Sequence, residues 1–260
     1  MRYCILALSF FLVAAQVTKH TVETEYQTGE QEIRVLLPDD YSEAGAYRVL
    51  YVLPVETGFN DNFGYGLGLL KGLDAHNQYD LIIVQMGFEK EPWFGDHATD
   101  PKVRQASYVK DFVVPFIENK YSTLGTPEGR LLLGFSKSGW GAFSLILKYP
   151  EFFGYAAAWD APITFSTFRY GMEDVYGTPE QLALYRPDLL ISQQKSFFEE
   201  KTRLVLTGQK IWGEETVQAH ELLLQEGLKH HYDDTLECPH RWDENWLIPT
   251  LSALIALTEQ

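Results

Sequence analysis

The chain has 260 residues, 45% apolar, 14% aromatic and 22% charged, a balance that excludes a disordered tail, a collagen-like fibre and a disulfide-rich miniprotein. Lys and Arg number 21 against 36 Asp and Glu, giving a formal charge of −15, and a field of that sign repels phosphate backbones and anionic lipid surfaces. Nucleic acid is therefore not an expected partner.

The first fifteen residues read as an export signal. Arg2 gives a positive start, residues 4–15 (CILALSFFLVAA) form an apolar run of signal-peptide length, and Val13, Ala14 and Ala15 supply small residues for cleavage near Ala15. The run falls short of the roughly 20 residues that span a bilayer. A secreted or periplasmic protein without stable membrane insertion is expected. Cys4 leaves with that peptide and Cys238 remains alone, which excludes an internal disulfide and any metal site built on several cysteines.

Residues 33–37 and 48–55 predict the first strands, the second almost continuously apolar, as a strand covered on both faces should be. Residues 79–86 repeat that pattern. Residues 105–120 have helical spacing (Val109, Phe112, Val113, Phe116, Ile117), and Pro115 inside them predicts a kink or a late start. Residues 130–135 (RLLLGF) predict a buried strand followed by a small-residue turn and a helix over 138–149. Strands follow at 155–159 and 203–207, then a helix over 216–226 stopped by Gly227. A last strand at 230–237 and a closing helix over 243–257 complete the chain. This alternation predicts an α/β protein, a mostly parallel doubly wound sheet with helices on both faces and ligands at the carboxyl ends of its strands. No linker divides residues 16–260, which read as one domain. Residues 160–202, rich in Phe, Tyr, Arg and Pro, read equally as a lid over a pocket or a surface excursion.

The segment over 130–150, RLLLGFSKSGWGAFSLILKYP, carries the strongest chemical signal. A buried strand runs through Gly134-Phe135-Ser136-Lys137-Ser138 directly into a helix, the context of a nucleophile elbow, in which a strained serine tolerates only small neighbours two positions away. The usual pattern is G-x-S-x-G, and here Ser138 stands where the second glycine is expected. Ser138 is itself a poorer nucleophile candidate, because the same frame would put Trp140 in the tight position. The plain alternative is that Ser136 only caps the helix. A serine hydroxyl needs a base, and of seven histidines His240, in a Cys-Pro-His-Arg-Trp loop after the last strand, is best placed to overhang the carboxyl edge of the sheet.

These segments resemble the α/β-hydrolases, and within them the esterase group that contains feruloyl esterases, S-formylglutathione hydrolase and bacterial mycolyltransferases. The likeness runs from Val49-Leu50-Tyr51-Val52-Leu53 through the elbow, with Gly139, Gly141 and Ala142 behind it, to His240 with Trp242 and Trp246. It implies a Ser, acid, His triad in that chain order, with Ser136 as nucleophile and His240 as base. It also implies an oxyanion hole made by the Lys137 N–H and one N–H after the strand at 49–55. No cofactor and no metal are implied.

Two departures from that family pattern bear on the site. Where a His-Gly pair is usual, this chain has Pro54-Val55-Glu56-Thr57-Gly58. Proline cannot donate, so Val55 or Glu56 is the nearest second oxyanion donor. A carboxylate there opposes an oxyanion unless it points away, and Glu56 could instead hold a substrate hydroxyl or ammonium group. The family's acid follows the strand ending at Thr207-Gly208, but the chain there reads Gln-Lys-Ile-Trp-Gly-Glu-Glu. Glu214 is the first candidate acid, Asp160 the second and Glu215 a third, while Glu214 and Glu215 also suit the start of a helix on dipole grounds alone. Trp93 and Phe94 would line a pocket or simply pack. Asp96 with His97 is too little for a metal site, and Arg169 would meet a substrate carboxylate or an exposed partner. The leading expectation is an exported serine carboxylesterase acting on a soluble ester, such as an acylated sugar or polysaccharide-linked ester, through an acyl-enzyme on Ser136. An acyltransferase of the same fold is one alternative, and an inactive scaffold that binds a glycan or a protein is the other.

Overall fold

The computed structural model describes residues 16–59 and 62–260, so the export signal read from residues 1–15 lies outside the described residues. The strands are β1 (Thr18–Glu23), β2 (Glu30–Leu36), β3 (Arg48–Val52), β4 (Leu81–Met86), β5 (Arg130–Phe135), β6 (Tyr155–Trp159), β7 (Leu204–Thr207) and β8 (His230–Asp233). They form one sheet in the order β1-β2-β4-β3-β5-β6-β7-β8. β1 and β2 run antiparallel as a hairpin on one edge, and β3 to β8 are parallel.

The apolar strands divide their side chains between two cores with the period of two that a pleated sheet imposes. Val49 and Tyr51 of β3 face a cluster with Tyr108, Val109 and Ile117, Trp140 and Phe143, and Ala219 and Leu223. Leu50 and Val52 face the opposite cluster with Leu67 and Leu70 and with Leu247, Leu251 and Leu254. The first cluster is covered by the helices Val114–Lys120, Ser136–Lys148 and Gly213–Gln225, the second by Gly66–Gly72 and Glu244–Leu257. Among the described residues no helix is long and apolar enough to cross a membrane.

Several boundaries differ from expectation for identifiable reasons. The sequence pattern missed β1, a half-exposed edge strand whose alternation includes Lys19, His20 and Thr21. The chain runs helically through Pro115: a π-helical turn over Tyr108–Val113, in which the Val114 N–H donates to the Val109 carbonyl, leads into α-helix from Val114, and this local widening accommodates a residue that has no N–H. The strand predicted over 230–237 stops at Asp233, because its ladder partner β7 ends at Thr207, the residue opposite. Residues beyond Asp233 are thereby released into the loop that carries His240.

The stretch over 160–202 holds three short α-helices, Met172–Tyr176, Pro179–Ala183 and Pro187–Gln193, and a 3-10 turn, Lys195–Phe197. It is tied to the loop after β4: the Tyr176 hydroxyl donates to the Trp93 carbonyl at 2.6 Å, and the Gln181 amide donates to the Asp96 carbonyl at 2.8 Å. Ile163, Met172, Val175 and Tyr176 are fully buried.

Candidate active site

The site begins with the turn at the carboxyl end of β5. Phe135 is extended and Ser136, the first residue of the helix Ser136–Lys148, takes φ +51°, a left-handed conformation that non-glycine residues adopt only where the surroundings impose it. The turn is tight enough that a Cβ on Gly134 would lie 2.2 Å from the Ser138 carbonyl oxygen. Ser138 itself explains how a serine fills the place where a glycine was expected. Its buried hydroxyl donates to the Phe135 carbonyl at 2.8 Å and accepts the Phe135 N–H at 3.0 Å, closing the turn with two bonds that glycine could not make.

Sheet register then brings a carboxylate alongside. Phe135 of β5 is paired with Trp159 of β6, so Ser136 and Asp160 leave neighbouring strands at the same level of the carboxyl edge. Asp160 also has positive φ, +41°. Its side chain has no solvent exposure. His240 reaches this edge from the loop after β8 and bridges the two. The His240 Nδ1–H donates to Asp160 Oδ2 at 2.6 Å, and the Ser136 hydroxyl donates to His240 Nε2 at 3.0 Å.

The imidazole is held by packing as well as by hydrogen bonds. Its ring meets Phe135 edge-on at 5.3 Å and Phe63 at 6.1 Å. Behind it, Trp246 stacks on Trp159 with centroids 4.8 Å apart and donates its Nε1–H to the Arg241 carbonyl at 2.7 Å. The Trp242 N–H donates to the Phe63 carbonyl at 2.6 Å, which pins the loop on the other side of His240.

Burial penalises the Asp160 carboxylate, but hydrogen bonds from His240 and from the backbone N–H groups of Ile211, Lys210 and Trp212 outweigh that cost and hold its carboxyl below the usual 3.8. Oδ1 accepts from Lys210 at 2.9 Å and from Trp212 at 2.9 Å, and the Ile211 N–H is shared between Oδ1 at 3.1 Å and Oδ2 at 3.0 Å. An ionised carboxylate accepts only, so His240 must carry its proton on Nδ1 and present the Nε2 lone pair to Ser136.

The carboxylate paired with His240 is thus Asp160 and not Glu214. Glu214 lies exposed in the first turn of the helix Gly213–Gln225, with Glu215 beside it, where the helix dipole suffices to favour acidic residues. The segment after β7 contributes no acid. It contributes Lys210, Ile211 and Trp212, whose N–H groups encircle an acid that comes from one strand earlier. The signal available in the sequence was the position of Asp160, directly after a buried strand adjacent in order to the elbow.

Ser136, Lys137 and His240 open onto a pocket of about 360 Å³ with Val55, Glu56, Phe63, Trp93, Tyr170, Ile211 and Trp212 in its walls. The Lys137 N–H belongs to the first helical turn, whose N–H groups have no carbonyl four residues back within the helix, and it sits where the helix dipole favours negative charge. Lys137 turns its ammonium to the Glu91 carboxylate. Val55 and Glu56 reach the same pocket from the turn after β3, and the Glu56 carboxylate accepts a hydrogen bond from the Asn62 amide at 3.2 Å.

The other candidates have structural partners. Buried Asp96 accepts from the Ser107 N–H at 3.0 Å and the Ser107 hydroxyl at 2.5 Å. His97 Nδ1 accepts the N–H groups of Thr99 and Asp100 at 3.1 and 2.9 Å. Arg169 lies over the Phe165 ring at 5.4 Å. Trp93 does reach the pocket wall, and its Nε1–H donates to the Tyr170 carbonyl at 2.8 Å.

A mostly parallel sheet with a serine turn after its fifth strand, an acid after the sixth and a histidine after the last is the α/β-hydrolase fold. The chain belongs to the esterase family whose description is "Putative esterase", the family model matching residues 24–247. Among curated proteins it is 28% identical over 134 residues to Esterase Rv1288 of Mycobacterium tuberculosis, covering 50% of this chain and 29% of that protein. It is 25% identical over 146 residues to YbbA of Bacillus subtilis, an uncharacterised protein, covering 50% of this chain and 56% of that one. The chain thus spans under a third of the mycobacterial relative and little over half of the other. Solved structures of similar fold include a ferulic acid esterase (TM-score 0.76, 15% identity, 94% of this chain and 98% of that one). They also include an S-formylglutathione hydrolase from Agrobacterium tumefaciens (0.75, 14%, 97% and 99%). FphF, a fluorophosphonate-binding serine hydrolase of Staphylococcus aureus, is a third (0.74, 13%, 95% and 99%).

Proposed function

We propose that this chain is an exported serine carboxylesterase that hydrolyses a soluble ester through an acyl-enzyme on Ser136. The observation that carries the reading is the continuous chain of hydrogen bonds from the Ser136 hydroxyl through His240 to Asp160 at the carboxyl edge of the sheet, and membership of the esterase family supports it. In this reading Ser136 Oγ attacks the ester carbonyl as His240 Nε2 takes its proton. The Lys137 N–H and an N–H from Val55 or Glu56 bind the oxyanion, and His240 returns the proton to the departing alcohol. Water, deprotonated by the same histidine, then releases the acid and frees Ser136. Asp160 holds the imidazole in the required tautomer and stabilises the imidazolium formed at each step.

The direct test is intact-mass analysis after treatment with a fluorophosphonate, beside a Ser136→Ala control, because the probe requires an activated serine and no knowledge of the substrate. One adduct on the native protein and none on the variant is the expected result. Absence of an adduct on folded protein would overturn the reading in favour of a binding scaffold. Export rests on the composition of residues 1–15, and an N-terminus at Gln16 on protein recovered from the cell exterior or periplasm is the expected outcome.

A further inference from the structure

The pocket beside Ser136 contains a charge that hydrolysis itself does not use. Glu56 is in its wall, and among the described residues no Lys, Arg or His forms an ion pair with it. Its carboxylate is met by an amide, that of Asn62. The two basic side chains in the same walls are committed elsewhere: the Lys137 ammonium to Glu91, and His240 to Asp160 and Ser136.

Much of the rest of the wall is aromatic. Phe63, Tyr170 and Trp212 line the pocket with side chains that solvent reaches, Tyr170 and Trp212 set nearly perpendicular at 6.0 Å, and Trp93 lies fully buried in the wall. An aromatic face carries negative potential and attracts cations, most strongly for tryptophan. A neutral ester group filling this space would be served by the rings but would strip water from Glu56 without replacing it, at a cost. A cation satisfies the carboxylate and the rings together, and the chain's net charge of −15 raises the local concentration of cations.

We propose that the pocket selects esters bearing an alkylammonium group near the scissile carbonyl, with Glu56 as the specificity-determining residue. The proposal rests on the esterase reading for its reaction, but its recognition step can be measured without turnover. The cation can belong to the alcohol half of the ester or to the acyl half.

The test is calorimetric titration of the full-length Ser136→Ala protein, in which esters stay intact, with two matched pairs. Acetylcholine against 3,3-dimethylbutyl acetate places the charge on the alcohol half. The ethyl ester of trimethylglycine against ethyl 3,3-dimethylbutanoate places it on the acyl half. In at least one pair the cationic ester should bind about tenfold more tightly than its uncharged twin, the range that cation–π contact with a partly desolvated charge supports. Adding Glu56→Gln should remove most of that preference, whereas Glu56→Asp should retain part of it. Equal binding within both pairs, or a preference that survives Glu56→Gln, overturns the proposal. The fluorophosphonate experiment decides the esterase reading separately, so the two can fail independently.

Discussion

Replacing Asp160 by Asn should disable the site through the histidine tautomer, and the structure dictates which way the new amide must face. Oδ1 of Asp160 accepts the backbone N–H groups of Lys210 and Trp212 and shares that of Ile211 with Oδ2, which also receives His240 Nδ1–H. An asparagine that turned its NH2 toward the Lys210 and Trp212 N–H groups would leave those two donors unpaired, at about 1–3 kcal/mol each. Its oxygen therefore stays with the loop and its NH2 faces His240. The imidazole must then accept at Nδ1 and carry its proton on Nε2, where it can no longer take the Ser136 proton. By analogy with the same substitution in serine proteases, kcat should fall by about 10⁴. Hydrolysis of p-nitrophenyl acetate and the rate of fluorophosphonate labelling should fall together, with the circular dichroism spectrum unchanged. Glu214→Gln, at an exposed helix start, should leave kcat within about twofold of native. If Asp160→Asn kept more than about a tenth of native turnover while Glu214→Gln lost it, the assignment of Asp160 would be refuted.

Three further outcomes follow from particular contacts. Ser138→Ala removes both bonds that close the elbow and leaves the buried Phe135 N–H unpaired, so urea denaturation should report a loss of about 1–3 kcal/mol. Because the native Asp160 carboxyl lies below its ordinary 3.8, the unfolded chain takes up that proton first. Its contribution to stability is complete above about pH 4 and is lost as pH falls through the native value, and Asp160→Asn should flatten that acid limb of the unfolding curve. On the far edge of the sheet, His220 Nδ1 lies 2.7 Å from His230 Nε2, and His230 Nδ1–H donates to the Leu228 carbonyl at 2.9 Å. Burial, against the pull of the Leu228 carbonyl, holds His230 below 6.5. The unfolded chain again binds the proton first, so stability should drop as pH falls below about 6.5, and less so in His230→Gln.

Much of the site was legible because its decisive features are local. The strand, tight turn and helix around Ser136 occupy one contiguous segment, and the smallness of Gly134 is a steric demand of that segment alone. His240 was legible from its position after the last strand, although the strand proved shorter than expected. The acid was not legible from Glu214, because the residue that meets a histidine is chosen by strand adjacency. The pairing of Phe135 with Trp159 sets Asp160 beside Ser136, and no pattern within either strand encodes that pairing. The antiparallel β1 escaped notice for a related reason: an edge strand buries little, so its sequence carries little hydrophobic signal.

The sequence by itself determined an α/β chain with a nucleophile turn, since alternation of buried strands and amphipathic helices and the size of residues in a turn are short-range properties. It also supplied Glu56 in place of the usual His-Gly pair. Only the tertiary structure decided that Asp160 is the carboxylate on His240, that the N–H groups after β7 hold it ionised, and that Glu56 shares a pocket with four aromatic rings. Those facts depend on which carboxyl ends meet at one sheet edge and how the loops between them fold back, and such relations exist only after distant parts of the chain have packed.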